Sequence, residues 1–142
     1  MGILDKLFGG GKEYPALEST NPAASRLNKF QPQLVSLTKQ VSDSLEVVPG
    51  EDAAYIFVGK PPKAFGIAWI QDGKLHNFKS IAQEKGIPAT EFQLLSDELR
   101  EAYQRSEDAG RYTSTIDGRK ILVTPSDSLA HDVKEILEKV VH

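Results

Sequence analysis

Two stretches of the chain decide its fold: FGIAWIQDGKLHNFKSI, residues 65–81, and YTSTIDGRKILVT, residues 112–124. Each stretch places an Asp-Gly pair, Asp72-Gly73 or Asp117-Gly118, between two runs rich in β-prone residues. Asp-Gly is a preferred pair for a type I′ turn, because both central residues of that turn need a positive φ. Each stretch is therefore predicted to form a β-hairpin. The predicted strands are Phe65–Gln71 and Lys74–Ile81 in the first hairpin, and Tyr112–Ile116 and Arg119–Thr124 in the second.

The part of the chain before the first hairpin predicts a helical stretch and a strand. Asn21 can cap a helix, and apolar residues recur at helical spacing from Leu27 to Val48. Pro32 lies inside this pattern, so we expect a kink or a fresh helix there. The next run, Ala53–Val58, is almost wholly apolar, which favours a strand that is covered on both faces.

A helix is expected after each hairpin. Thr90 and Gln93 form a capping-box pattern, and Gly110 is the natural end of the helix that they open. The segment Thr124–Asp127 offers a cap, a proline and an acid for the start of the last helix. The predicted order is α-β-β-β-α-β-β-α, a single α+β domain whose mainly antiparallel five-stranded sheet is packed by helices on one face.

This element order resembles that of the small acidic dimeric chaperones of type III secretion. Without the first helix it also resembles the order of profilin and longin modules. The resemblance is one of topology alone, and a shared fold does not imply a shared function.

Composition narrows the class of protein. The chain has 142 residues, of which 39% are hydrophobic, and a formal charge of −3, as expected for one soluble domain. We expect an apolar tail and Gly-rich connector over residues 1–20 and the domain over residues 21–142. The weakly acidic balance disfavours nucleic acid as a partner. We expect a cytoplasmic location, because no run approaches the ~20 apolar residues of a membrane span and no signal-peptide pattern is present.

The sequence offers no set of catalytic or metal-binding residues. It contains no cysteine, and its histidines, at positions 76, 131 and 142, lack the spacing of metal ligands. A serine lies near His131 without a G-x-S-x-G nucleophile elbow, and the glycines before Lys12 lack the spacing of a P-loop. We therefore expect neither an enzyme nor a metal or cofactor site.

Four features are candidates for partner binding. The first is the N-terminal segment, whose apolar side chains share one side of a helical turn and suit a partner groove, a membrane surface or the chain's own domain. The second is the stiff, cationic loop from Lys60 to Lys63. The third is an aromatic strand face, and the fourth is an apolar helix face suited to homodimer formation. The candidate residues outside the loop are Ile3, Leu4, Leu7 and Phe8 in the tail, Phe65 and Trp69 on the strand, and Leu34, Leu37 and Val41 on the helix.

These features predict a non-enzymatic binding or adaptor module that engages a protein or peptide through a sheet face or edge and the first helix. One alternative is a peripheral membrane adaptor anchored by residues 1–8. Another is a small-ligand-binding protein or enzyme with a pocket between helix and sheet. An open apolar groove would favour this last alternative, and a closed, dry interface would exclude it.

Overall fold

The structure is a computed structural model that describes residues 14–141. The helices are α1 (Pro22–Lys29), α2 (Gln31–Gln40), α3 (Phe78–Glu84), α4 (Ala89–Arg105) and α5 (Asp127–Val141). The strands are β1 (Leu45–Pro49), β2 (Ala53–Lys60), β3 (Ala64–Gln71), β4 (Lys74–Asn77), β5 (Tyr112–Ile116) and β6 (Arg119–Val123).

The six strands form one sheet in the order β4-β3-β2-β1-β6-β5. All neighbouring pairs are antiparallel except β1 and β6, which run parallel. The predicted α+β class is confirmed. The predicted number of strands is wrong, because the sheet has a sixth strand and is mixed.

Both predicted hairpin turns are confirmed. Asp72 and Gly73 have φ values of 54° and 73°, and Asp117 and Gly118 have values of 52° and 77°. Positive φ at both central residues is the signature of a type I′ turn. The register agrees, since the residues on either side of each turn are direct cross-strand partners.

The strand that the sequence prediction missed is β1. The sequence pattern assigns Leu45 and Val48 to the end of the first helical stretch, but α2 ends at Gln40 and the chain returns as a strand. All five residues of β1 are buried, because it lies in the middle of a sheet with helices on both sides. A strand covered on both faces shows no period of two, and its apolar residues continued the helical spacing by coincidence.

Other element boundaries also differ from the prediction. The first helical stretch breaks as expected, with α1 ending at Lys29 and Pro32 in the first turn of α2. The second strand of the first hairpin is shorter than expected, because the side chain of Asn77 accepts a hydrogen bond from the Ser80 amide at 3.3 Å and starts α3. Helix α4 begins after Pro88, so Thr90 is not its cap.

Helices cover both faces of the sheet, which corrects the expectation of one covered face. One buried cluster joins the sheet to α3, α4 and α5, and a second joins it to α1 and α2. Leu34 and Leu37 are 0% and 2% exposed within the second cluster. The apolar residues that suggested self-association through the first helix are therefore used to cover the second face of the sheet.

A segment before α1 pairs with the edge strand β5. The Thr113 amide donates to the Pro15 carbonyl and the Leu17 amide donates to the Thr113 carbonyl, both at 2.8 Å. These bonds form a parallel bridge between Ala16 and Thr113, and Leu17 packs against the second cluster. This pairing lies within the predicted connector. The tail residues Ile3, Leu4, Leu7 and Phe8 lie outside the described residues.

None of the helices in residues 14–141 combines the length and the apolar character that a membrane crossing needs.

We predict that Gly118→Val lowers the free energy of unfolding by about 1–3 kcal/mol, because a β-branched residue resists positive φ. Gly66→Val is the matched control. A Cβ added at either glycine meets no atom within 4 Å, and only Gly118 has a φ, +77°, in the left-handed region. Urea denaturation of both variants checks this, and an equal loss of stability in the two would contradict it.

We predict that a chain beginning at Asn21 is less stable than one beginning at Tyr14 by about 1–3 kcal/mol. The shorter chain loses two backbone hydrogen bonds to Thr113 and the packing of Leu17. Thermal unfolding of the two chains measures the difference. Equal melting temperatures would show that residues 14–20 contribute nothing to the domain.

Candidate functional site

The first half of β3 forms an open edge of the sheet. Strand β4 pairs with β3 only from Ala68 to Gln71, whereas β2 pairs with β3 along its full length. Beyond Asn77 the chain leaves the sheet as α3. Within residues 14–141, no strand therefore lies beside Ala64–Ile67 on the side away from β2.

The backbone of Phe65 points toward this open side. In a hairpin with a two-residue turn, the residues that flank the turn exchange both backbone hydrogen bonds, and every second residue then repeats this orientation. Counting back from Gln71 through Trp69 and Ile67, the N–H and C=O of Phe65 face away from β2. Such an edge is a template for another strand.

A groove of about 240 Å³ runs along this open edge. It is walled by β3 and β2 on one side and by α3 and α4 on the other. Its apolar lining is Val58, Phe65, Ile67, Phe78, Phe92 and Leu99, and its polar lining is Asn77, Lys79 and Ser96.

Gly66 lets the groove extend around the edge of the sheet. Val58 lies directly across from Gly66 on β2 and packs with the cluster on the α1–α2 side, whereas Phe65 and Ile67 lie on the other face. All four residues nevertheless line the same groove. This is the geometry of a site at the margin of a sheet, where both faces can be reached.

Packed aromatic rings form the floor of the groove. The rings of Phe78 and Phe92 stack with centroids 4.8 Å apart, and Phe65 lies 5.4 Å from the fully buried Phe57. Aromatic pairs at these distances contribute stabilisation in addition to that from burying their surface. The packing of these rings therefore fixes the floor of the groove.

Arg100 fixes the loop at the start of β3. Its Nε donates to the carbonyl of Pro62 at 2.6 Å, and its guanidinium lies 5.6 Å from the centroid of the Phe65 ring. It also pairs with Asp97 at 2.7 Å. One side chain on α4 thus holds the loop, the strand and the helix together at one end of the groove.

The structure brings three of the sequence candidates together and separates the others. Lys60, Lys63 and Phe65 lie at the open start of β3, with both lysines exposed. Trp69 is only 3% exposed and stacks on His76 at 5.3 Å, so it packs inside this domain. Val41 is half-buried at the end of α2. Neither Trp69 nor the helix residues Leu34 and Leu37 face this groove.

A second concentration of polar groups surrounds Glu46 on β1, which is 4% exposed. Its Oε2 accepts hydrogen bonds from Nε of Arg111 at 2.9 Å and from Oγ1 of Thr124 at 2.5 Å. Its Oε1 accepts from the hydroxyl of Tyr103 at 2.8 Å. Arg111 lies over the Tyr103 ring at 4.9 Å and also donates to Ser106.

The buried polar atoms of this network are all paired with one another or with the backbone. Every buried side-chain nitrogen and oxygen in the described part of the chain has a hydrogen-bond partner. Glu46, Arg111 and Thr124 join β1, the start of β5 and the end of β6, so their role is to connect the two halves of the sheet. Sequence reasoning missed the network because Glu46 was assigned to a helix, although an acid inside an apolar run is a signal of a buried partner.

In residues 14–141, no three His, Asp or Glu side chains are grouped closely enough to hold a metal ion.

Comparisons with known proteins give no match to any family model, curated protein or solved structure. The resemblance in element order to secretion chaperones and to profilin and longin modules rests on five strands, whereas the sheet has six. Function is therefore inferred from the geometry of the groove.

We predict that Arg111→Met lowers the free energy of unfolding by about 3–5 kcal/mol, because it leaves the Glu46 charge buried without its partner. The double variant Glu46→Met/Arg111→Met should lose less than Arg111→Met alone. Arg105→Met is the control, since its ion pair with Asp132 is exposed and worth at most about 1 kcal/mol. Urea denaturation measures all three, and a double variant no more stable than Arg111→Met would contradict the argument.

We predict that stability falls as the pH rises above 10. Burial, with the charge of Glu138, raises the pKa of Tyr55 from 10.0 to about 12, and burial and the charge of Glu46 raise the pKa of Tyr103. Because these pKa values are higher in the folded state, their contribution is full below pH 10 and is lost toward pH 12. Unfolding free energies across this range should fall less steeply in Tyr55→Phe, and an unchanged slope would contradict the assignment.

Proposed function

We propose that this protein is a non-enzymatic binding module that takes up an extended peptide segment as an added strand beside the first half of β3. The observation that supports this most directly is an unpaired strand edge that opens into an apolar groove. Peptide recognition by strand addition uses these two parts: backbone hydrogen bonds supply affinity, and pockets for alternate side chains supply specificity.

The geometry limits what such a segment looks like. The open stretch Ala64–Ile67 spans about 13 Å at ~3.3 Å per residue, which is room for about four paired residues. Alternate side chains of the added strand point to opposite faces, so those on one face meet Phe65, Phe78 and Phe92. The segment therefore carries apolar residues at every second position.

The size of the groove favours a peptide over a small molecule. Pockets for drug-sized ligands measure about 300–1,000 Å³, whereas this groove holds about 240 Å³. That volume suits one or two apolar side chains whose backbone is bound elsewhere, and the β3 edge supplies the place for that backbone. A small apolar ligand is the second candidate function, supported by the same open groove between helix and sheet.

We predict that Phe65→Pro abolishes peptide binding while the domain stays folded. The N–H of Phe65 faces the open edge, so proline removes a donor that an added strand needs without breaking a hydrogen bond of the β2–β3 ladder. Selection from a random-peptide display library on the wild-type protein should enrich segments with alternating apolar residues. Fluorescence anisotropy with one enriched synthetic peptide then compares the variants.

Phe65→Ala is the matched control, because it removes the same ring from the groove and keeps the backbone N–H. It should bind more tightly than Phe65→Pro. Binding by Phe65→Pro equal to that of the wild type, or a selection that enriches no peptide, would rule out strand addition at β3.

A further inference from the structure

We propose that the peptide recognised at this groove carries acidic residues on both sides of its apolar anchor, the segment with apolar residues at every second position that pairs with β3. This inference rests on the proposed function and names the chemistry of the partner. It is carried by the lysines that stand at the two ends of the open stretch of β3.

The first end is marked by Lys63. It directly precedes Ala64, the first residue of the open stretch, and it is exposed. Its backbone is held in place, because its amide donates to the carbonyl of Lys60 at 3.0 Å and its carbonyl accepts from Arg100. Lys60 is also exposed, but it lies on β2, across from Ala64 on the side away from the open edge. A strand that leaves the groove past Ala64 therefore passes Lys63.

The second end is marked by Lys79. It lines the groove itself, and it follows Asn77, the residue of β4 that pairs with Ala68 just beyond the open stretch. Its side chain is exposed. A strand that enters the groove at Ile67 therefore meets a cation at that end as well.

These lysines are available to an incoming partner. Among residues 14–141, neither Lys60 nor Lys63 nor Lys79 forms an ion pair. The arginine beside the groove is different, since Arg100 is already paired with Asp97. The whole chain has a formal charge of −3, so the cationic ends of the groove are a local feature that an acidic segment would match.

Positive charge at both ends has a consequence for direction. A bound strand runs parallel or antiparallel to β3, and the two orientations exchange its ends. Because each end of the groove carries lysine, acidic residues on both sides of the anchor satisfy the site in either direction. The lysines therefore determine which residues flank the apolar core of the peptide. The backbone hydrogen bonds determine whether the peptide runs parallel or antiparallel to β3.

Three synthetic peptides test the inference. They share the core Thr-Val-Thr-Leu-Thr-Val and carry two Glu, two Gln or two Lys residues at each end. We expect the Glu peptide to bind about fivefold more tightly than the Gln peptide, as for a few exposed ion pairs, and the Lys peptide to bind most weakly. The difference should shrink at high salt, where exposed charges are screened. Fluorescence anisotropy with the full-length protein measures each affinity.

Reversing the charge of the lysines gives the sharper comparison. Lys63→Glu/Lys79→Glu should reverse the order, so that the Lys peptide binds most tightly. Lys39→Glu/Lys134→Glu changes the net charge equally at exposed positions away from the groove and should keep the wild-type order. A reversed order in this control would show that only net charge matters and would overturn the inference.

The remaining outcomes separate this inference from the proposed function. Equal binding of the three peptides, lost in Phe65→Pro, overturns the acidic preference and retains strand addition. Binding that Phe65→Pro leaves intact overturns both. A wild-type dimer that Phe65→Pro dissociates assigns the edge to a second copy, and peptide binding only by a chain that begins at Tyr14 assigns it to the chain's own first residues. Either result overturns the inference, as does a failure of all three peptides to bind.

Discussion

The buried charge of Glu46 is the constraint on which the arrangement of the sheet depends. Glu46 lies on β1, the strand that joins the β2-β3-β4 meander to the β5-β6 hairpin. A carboxylate in the interior is tolerated only when charged and hydrogen-bonding partners surround it. Arg111 and Thr124 supply two of these partners from the open end of the second hairpin, where one precedes β5 and the other follows β6. The position of that hairpin beside β1 is thus set by the need to compensate one charge, in addition to apolar packing.

The two edges of the sheet are protected in different ways. The β5 edge is bridged by the segment Pro15–Leu17. The other edge is covered by β4 over half of β3, and the Asn77 cap then turns the chain into α3. A longer β4 would have paired with Ala64–Ile67 and closed the groove. The candidate site therefore exists because a helix starts early, and a single capping side chain fixes where the strand edge opens.

The hairpins were predictable because their turns depend on neighbouring residues alone. Strand β1 and the second covered face of the sheet depend on contacts between distant parts of the chain. Asp-Gly pairs specify positive φ within two residues, so both turns could be read from the sequence. Strand β1 could not, because burial on both faces removes the period of two and leaves Leu45 and Val48 in apparent helical spacing. The sequence pattern also predicts an exposed face for Leu34 and Leu37, because nothing local in it indicates that the sheet has a second covered side.

The site was predictable only in part, for a related reason. Lys60, Lys63 and Phe65 could be singled out from a stiff cationic loop that leads into an aromatic strand. Lys79, Phe78 and Phe92 could not, because they reach the groove only once α3 replaces the end of the predicted strand.

The lysines at the two ends of the groove also bear on self-association. Two copies paired antiparallel through this edge would place Lys63 of each near Lys79 of the other, and like charges there oppose pairing. The charges that would repel a second copy are those that an acidic segment would neutralise, so in the proposed function the same lysines discourage self-pairing of the open strand and favour an acidic partner.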